Sequence, residues 1–215
     1  VFVAQTDARN DANGLTGTQG HGLQELQNRA FLNQLTRVEG CLGGDCGSPA
    51  FFDLEPLPPA DPAPGTALAT PFGIRISPDD STLVVTSAGS HKLFTADPAT
   101  GAVLGSVGVG WVPRGIALEA DPLGAPTRAW VLNAVSNSVS RVDLSTPASP
   151  TVTATIALED PTDPELRMGR RLFNDAAASS TGTFSCASCH PDGHTDQLLW
   201  VLDTPPCNLS PFPSG

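Results

Sequence analysis

The chemically distinctive residues lie near the end of the chain, in Cys186-Ala187-Ser188-Cys189-His190. Two thiols three positions apart on a helical turn can add to the two vinyl groups of one haem. The adjacent histidine then sits under the iron as its axial ligand. Three other readings compete. A thioredoxin-like redox pair needs a βαβ setting, and the surrounding pattern has none. A zinc site needs a second ligand pair, which only Cys41, Cys46 or Cys207 could supply. A chance match is the third. The cysteine–histidine unit reads best as the attachment site of one covalent haem c.

The neighbouring residues offer supporting roles, each with a plainer alternative. Arg170 and Arg171 suit haem propionates, because guanidinium pairs with carboxylates bidentately; the alternative is a solvated helix face. Met168, the only methionine, and Phe173 read as haem-pocket packing. Trp200, within an apolar run from Leu198 to Leu202, reads as an aromatic packing the same pocket. His194 follows His190 by four residues and is a candidate second iron ligand. Four extended residues reach only ~13–14 Å, however, so binding the opposite face of the same iron is sterically demanding. Asp192, Asp196 and Asp203 are candidate calcium ligands, though their spacing lacks an EF-hand pattern. His21 and His91 fall in polar loops and read as solvated. Cys41 and Cys46 enclose a short Leu-Gly-Gly-Asp loop that a disulfide would close, leaving Cys207 odd.

Elements positioning this unit follow from the hydrophobic pattern. Asp163 is a good N-cap and Pro164 suits a first helical turn, so a helix is expected over 164–174. Upstream, Pro71-Phe72-Gly73-Ile74 recurs as Pro113-Arg114-Gly115-Ile116, 42 residues later. Leu83-Val84-Val85-Thr86-Ser87-Ala88 answers Ala129-Trp130-Val131-Leu132-Asn133-Ala134 at an offset of 46, the extra residues falling in 121–127. Each copy reads as four short strands: about 73–76, 82–87, 92–96 and 102–107, then 115–118, 129–134, 138–144 and 152–156. Four strands per repeat of this length is the period of a propeller blade. Residues 1–70 read as a degenerate earlier blade, with strands at 1–6, 30–38 and 51–54, a polar insertion from Ala8 and a short helix over 22–29. The connector Pro56–Pro64 carries five prolines in nine residues.

The expected fold is therefore mainly β: a partial β-propeller of about two to three four-stranded blades, then a small α-helical cytochrome c-like segment. The divisions fall at 1–158 (a degenerate blade over 1–70, blades over 71–110 and 111–158) and at 159–215. Two blades and a part cannot close a ring, so remaining blades are expected outside this chain.

Composition agrees. Gly and Pro number 21 each and charged residues are only 15%, which excludes helical bundles. A net charge of −11 repels phosphate and excludes nucleic acid as a partner. No apolar run is long enough for a transmembrane segment.

Two resemblances sharpen the reading. Trp130-Val131-Leu132-Asn133-Ala134-Val135-Ser136-Asn137-Ser138-Val139-Ser140-Arg141-Val142-Asp143 resembles the core of the bacterial YVTN-type β-propeller repeat, without its tyrosine. Gly169-Arg170-Arg171-Leu172-Phe173-Asn174-Asp175, Ser179-Ser180 and Phe184-Ser185-Cys186-Ala187-Ser188-Cys189-His190 resemble the N-terminal haem segment of the bacterial di-haem cytochrome c peroxidase family, over about 164–203. In that family two haem c groups cooperate, one meeting peroxide and the other accepting electrons. This chain has one such motif, so the resemblance implies a second haem outside it. The expected function is single-electron transfer by an exported, periplasmic or extracellular c-type cytochrome with a redox partner protein. A fragment of a di-haem peroxidase-like oxidoreductase, and a propeller-based binding protein with a structural haem, are the alternatives.

Overall fold

The computed structural model describes residues 1–13, 23, 26–40, 46–198 and 200. Among the described residues, eleven strands form three antiparallel sheets. The first holds β1 (Phe2–Ala8), β2 (Phe31–Arg37) and β3 (Ala50–Asp53) in that order. The second holds β4 (Pro71–Ile76), β5 (Leu83–Ser87), β6 (Lys92–Ala96) and β7 (Val103–Gly108). The third holds β8 (Pro113–Ala120), β9 (Pro126–Asn133), β10 (Ser138–Asp143) and β11 (Thr151–Ala157). Two helices follow, α1 (Pro164–Asn174) and the single turn α2 (Cys186–Cys189). The architecture is mainly β, with four-stranded sheets resembling propeller blades and a small helical segment after them.

Alternation along the strands explains the stacking. All five residues of β5 are buried. Leu83 and Val85 face a cluster with Leu35, Leu68, Phe94 and Ala96, between the first and second sheets. Val84 points the opposite way, into a cluster with Leu93, Ile116, Ala129, Val131, Val142 and Leu144, between the second and third. A strand covered on both faces needs a continuous apolar run, not an alternating one. Each such side chain contributes roughly 1.5–3 kcal/mol of burial.

The first sheet lacks one position of the others. Val1 and Phe2 share a hollow with Ile76 and Asp80 at the end of β4, while Asn33 of β2 accepts a hydrogen bond from the N–H of Thr70, just before β4. Thus β1 runs opposite to β4 and stands against it as β5 stands against β8. The strands β1-β2-β3 match the second to fourth strands of a blade. The degenerate blade expected over 1–70 is three-stranded among the described residues, and its inner position is the empty one. The helix expected over 22–29 does not form at its described residues, 23 and 26–29: Leu26–Asn28 make a turn in which Gln27 and Asn28 take positive φ (54° and 56°), which a right-handed helix does not allow.

That orientation puts the β1–β2 connection, the β5–β6 turn, the β7–β8 connection and the β9–β10 turn on one rim. The opposite rim carries the 77–82 turn and its counterpart at 121–125, which touch where the Asp79 N–H donates to the Gly124 carbonyl; the extra residues of the second copy, expected in 121–127, lengthen strands β8 and β9 and not the turn. Inner strands β4 and β8 approach closely at Gly73, where a Cβ would collide with the Arg114 carbonyl oxygen. Gly73→Ala is accordingly expected to cost about 1–3 kcal/mol, read as a lower urea midpoint. An unchanged midpoint would show that the strands separate freely.

Among the described residues no helix is long and apolar enough to cross a membrane.

Candidate functional site

Helix α1 spans the residues its cap signals predict. The Asp163 carboxylate accepts from the Glu165 N–H at 2.8 Å, and Pro164 opens the first turn. No residue of α1 is buried. Leu166, Gly169 and Phe173 recur at helical spacing and share one face. Leu166 is 63% exposed and open space surrounds Gly169. The Phe173 ring lies 6.5 Å from the His190 ring, centroid to centroid.

Helix α2 is one turn, closed by serines. Ser188 N–H donates to the Ser185 carbonyl at 3.0 Å, and Ser185 N–H donates to Ser188 Oγ at 3.1 Å. The turn places Cys186 and Cys189 on one side, both as free thiols. Cys186 is exposed. Cys189 is half-buried, packed on a cluster of Leu26, Ala30 and Phe31 with Phe184 and Trp200. Burial, then the nearby Asp196 carboxylate and Cys186, push the Cys189 thiol up to about 11.

His190 follows directly. Its Nδ1 lies 2.9 Å from the His194 carbonyl oxygen. A carbonyl only accepts, so Nδ1 carries the proton and Nε2 keeps its lone pair free. This is the arrangement that orients a metal-ligating imidazole. Two adjacent thiols, an imidazole with an unengaged Nε2 and a bare apolar face at Leu166, Gly169 and Phe173 together fit a large flat group bound covalently.

The other expected residues divide. Phe173 joins the site. Arg170 lies one position from Gly169, at the edge of the open face. Arg171 turns away: its guanidinium stacks 4.6 Å from the centre of the Trp111 ring, and its Nε is 3.8 Å from Asp175. Met168 is five positions from Phe173, about 140° around the helix, and is exposed. His194 serves His190 through its carbonyl, not its imidazole. Trp200 stacks on Phe31 at 5.2 Å and donates to Asp196 at 2.9 Å, beneath Cys189.

Three expectations are corrected or fall outside. No group of three or more His, Cys, Asp or Glu positioned to hold a metal ion occurs among the described residues. Asp192 is paired with Arg114, Asp196 is bonded to Trp200, and Asp203 lies outside the described residues. The described residues thus offer calcium no three-ligand group there, and the zinc alternative turns on Cys41 and Cys207, which lie outside the described residues. His91 is not solvated: its Nδ1 faces the Val112 N–H and the Ala88 carbonyl at 3.2 Å each, and its Nε2 lies 3.6 Å from Asp175. Burial pulls its pKa down, with Asp175 opposing. The Cys41–Cys46 pairing involves Cys41, which lies outside the described residues, as do His21 and Cys207.

The segment docks on the rim defined above. Ala176 N–H donates to the Gly89 carbonyl at 2.9 Å. Asn33 Nδ2 donates to the Thr183 carbonyl at 3.0 Å, and Thr181 Oγ1 to the Asn28 carbonyl at 3.2 Å. Arg114 Nη1 meets Asp192 Oδ1 at 2.9 Å. Sequence patterns did not point to Trp111, Asp175, Arg114 or Asn33. The nearest signals were the Pro-Phe-Gly-Ile and Pro-Arg-Gly-Ile repeat, which contains Arg114, and the 169–175 stretch, which ends at Asp175.

Comparisons with known proteins add one assignment. Residues 163–202 match the model of the di-haem cytochrome c peroxidase family. The match covers about a fifth of the chain, and all of α1, α2 and His190 lie in it. Among solved structures, hydrazine synthase from Kuenenia stuttgartiensis is 34% identical over 42% of this chain and 24% of its own, with a TM-score of 0.35. A periplasmic gluconolactonase from Pseudomonas aeruginosa is 21% identical over 61% of this chain and 35% of its own, TM-score 0.43. The β-propeller domain of Cps50 (Swd1) from Myceliophteria thermophila is 13% identical over 60% and 39%, TM-score 0.40. The chain thus spans between a quarter and two fifths of these proteins' lengths. No curated protein matches the chain.

Proposed function

We propose that this chain carries one haem c, joined covalently to Cys186 and Cys189, with His190 as axial ligand, and transfers single electrons. The supporting observation is the Nδ1 hydrogen bond of His190 to the His194 carbonyl, beside two free thiols on one turn. When bound, the haem supplies an iron that cycles between ferric and ferrous states. The protein's own groups do the rest. The thiols anchor, the Nδ1–H bond fixes the imidazole, and Leu166, Gly169 and Phe173 offer the apolar surface that covers the ring and excludes water. Arg170 stands at the edge of that surface, where a propionate carboxylate would meet it.

The propeller sheets act as a scaffold, to which the segment is tied through Ala176, Thr183 and Asp192. Cys186 and His190 are exposed, which leaves this edge open to a redox partner protein. The match to the di-haem cytochrome c peroxidase family favours export to the bacterial periplasm. It also favours a second reading, in which the chain is part of a di-haem peroxidase-like oxidoreductase whose other haem lies outside it.

A redox titration of the mature protein, followed in the haem absorbance bands, tests the proposal. A single reversible one-electron transition is expected. A haem that stays in one oxidation state across the accessible range would overturn electron transfer and favour a structural role.

A further inference from the structure

We propose that Arg114, a residue of the propeller's inner strand β8, is a positioning residue for the axial imidazole of His190. The proposal rests on the haem reading above, and it reaches further: it makes the β-sheets part of the haem site.

Arg114 is held from two sides. Its backbone is locked against β4 at Gly73, where there is no room for a side chain. Its guanidinium lies over the Phe72 ring of the same neighbouring strand, 4.7 Å from the ring centre. Stacking of this kind fixes a planar cation and reduces the entropy lost on pairing. The ordered guanidinium presents Nη1 to Asp192 Oδ1 at 2.9 Å, across 78 residues of sequence.

Asp192 is the pivot of the turn that serves His190. Its φ of 51° and ψ of 28° lie in the left-handed region, which aspartate tolerates better than most residues but still at a cost. Gly193 follows with φ +81°. Two successive left-handed residues fold the chain back on itself. Gly193 N–H donates to the His190 carbonyl at 3.1 Å and His194 N–H to the Pro191 carbonyl at 3.0 Å. The turn so formed returns the His194 carbonyl to His190 Nδ1 at 2.9 Å.

This turn has little else to hold it. Residues 190 to 195 are exposed or only half-buried, and none enters a core cluster. Beyond its own hydrogen bonds, the Asp196 N–H to Cys189 carbonyl contact closes its far end. The Arg114–Asp192 pair is the tie from outside the segment. As an exposed ion pair it adds under about 1 kcal/mol to global stability, so its effect is local: it biases the 191–194 turn toward the conformer that aims the carbonyl at Nδ1. Movement of the propeller rim is transmitted to the imidazole by the same route.

The test uses the mature haem-bearing protein with R114Q, R114K, D192N and the R114Q/D192N double variant. Two readouts are taken: amide hydrogen exchange of Gly193 and His194, and the paramagnetically shifted imidazole signals of the ferric form. R114Q and D192N should each speed exchange about two- to fivefold, the factor corresponding to an exposed pair. Each should displace the imidazole signals, and the double variant should go no further than either single. R114K should retain most of the parental behaviour, because a single N–H contact to Asp192 can be remade. Parental exchange and signals in R114Q, or additive effects in the double variant, would overturn the proposal. A parent protein without covalent haem would overturn the haem reading instead, while the exchange readout would still report on the turn.

Discussion

Replacing both Cys186 and Cys189 with alanine is expected to abolish haem staining of the denatured protein completely. Each single replacement leaves one thioether position and should weaken the stain without removing it. The expectation follows from geometry: both thiols are free, lie on one turn and precede a histidine whose Nδ1 is already engaged. The sheets should survive, because Cys186 is exposed and Cys189 contributes only at the edge of its cluster. Far-ultraviolet circular dichroism would confirm the unchanged β signal. Undiminished staining in the double variant would show that haem, if present, is attached elsewhere.

The second large effect is expected at Glu55, well away from the haem motif. Glu55 Oε1 accepts from the Leu68 N–H at 2.9 Å, and both its oxygens accept from Asn33 Nδ2 at 3.2 Å. Arg29 Nη2 lies 3.7 Å away, with both side chains almost wholly buried. Arg29 also donates to the Pro56 and Ala60 carbonyls, at 3.0 and 3.2 Å. Asn33 extends the group to Thr183 and Thr70. One buried polar cluster therefore joins the first sheet, the proline-rich connector, the start of the second sheet and the C-terminal segment. Glu55→Ala leaves the buried Arg29 guanidinium without its counter-charge and the Leu68 N–H without its acceptor, at a cost of about 3–5 kcal/mol, measured by chemical denaturation. A loss below about 1 kcal/mol would mean that water replaces the carboxylate there.

Burial outweighs the hydrogen bonds and Arg29, so the Glu55 carboxyl titrates above its ordinary value of 4.5. Between 4.5 and the higher folded value the folded chain keeps a proton that the unfolded chain has lost. This group's contribution to stability is therefore fully present below 4.5 and falls as pH rises through the folded value. Glu55→Gln keeps the shape and removes the titration, so that part of the pH dependence should disappear.

Much of the frame was legible because it rests on local rules. Asp163-Pro164 fixed the start of α1, and Asn174 its end, as the capping pattern required. The Leu-Val-Val run of β5 identified a strand, though not its burial on both faces, and the four-strand repeat identified two sheets. Contacts between remote segments were not legible. Nothing local to Arg114 indicates Asp192, and nothing local to Arg171 indicates Trp111 rather than a propionate. His91 looked solvated because its neighbours are polar; docking of Asp175 against it buries it. His194 drew attention for its imidazole, whereas backbone folding brings its carbonyl to His190 Nδ1. Helical phase separated Met168 from Phe173, though both belong to one amphipathic stretch.

The measurement that tests the central claim most directly is mass spectrometry of the mature chain, with the peptide containing Cys186–His190 isolated under denaturing conditions. The account predicts that this peptide carries one haem, bonded through the sulfurs of both Cys186 and Cys189. A mature peptide with both cysteines unmodified, or joined to each other, would contradict it.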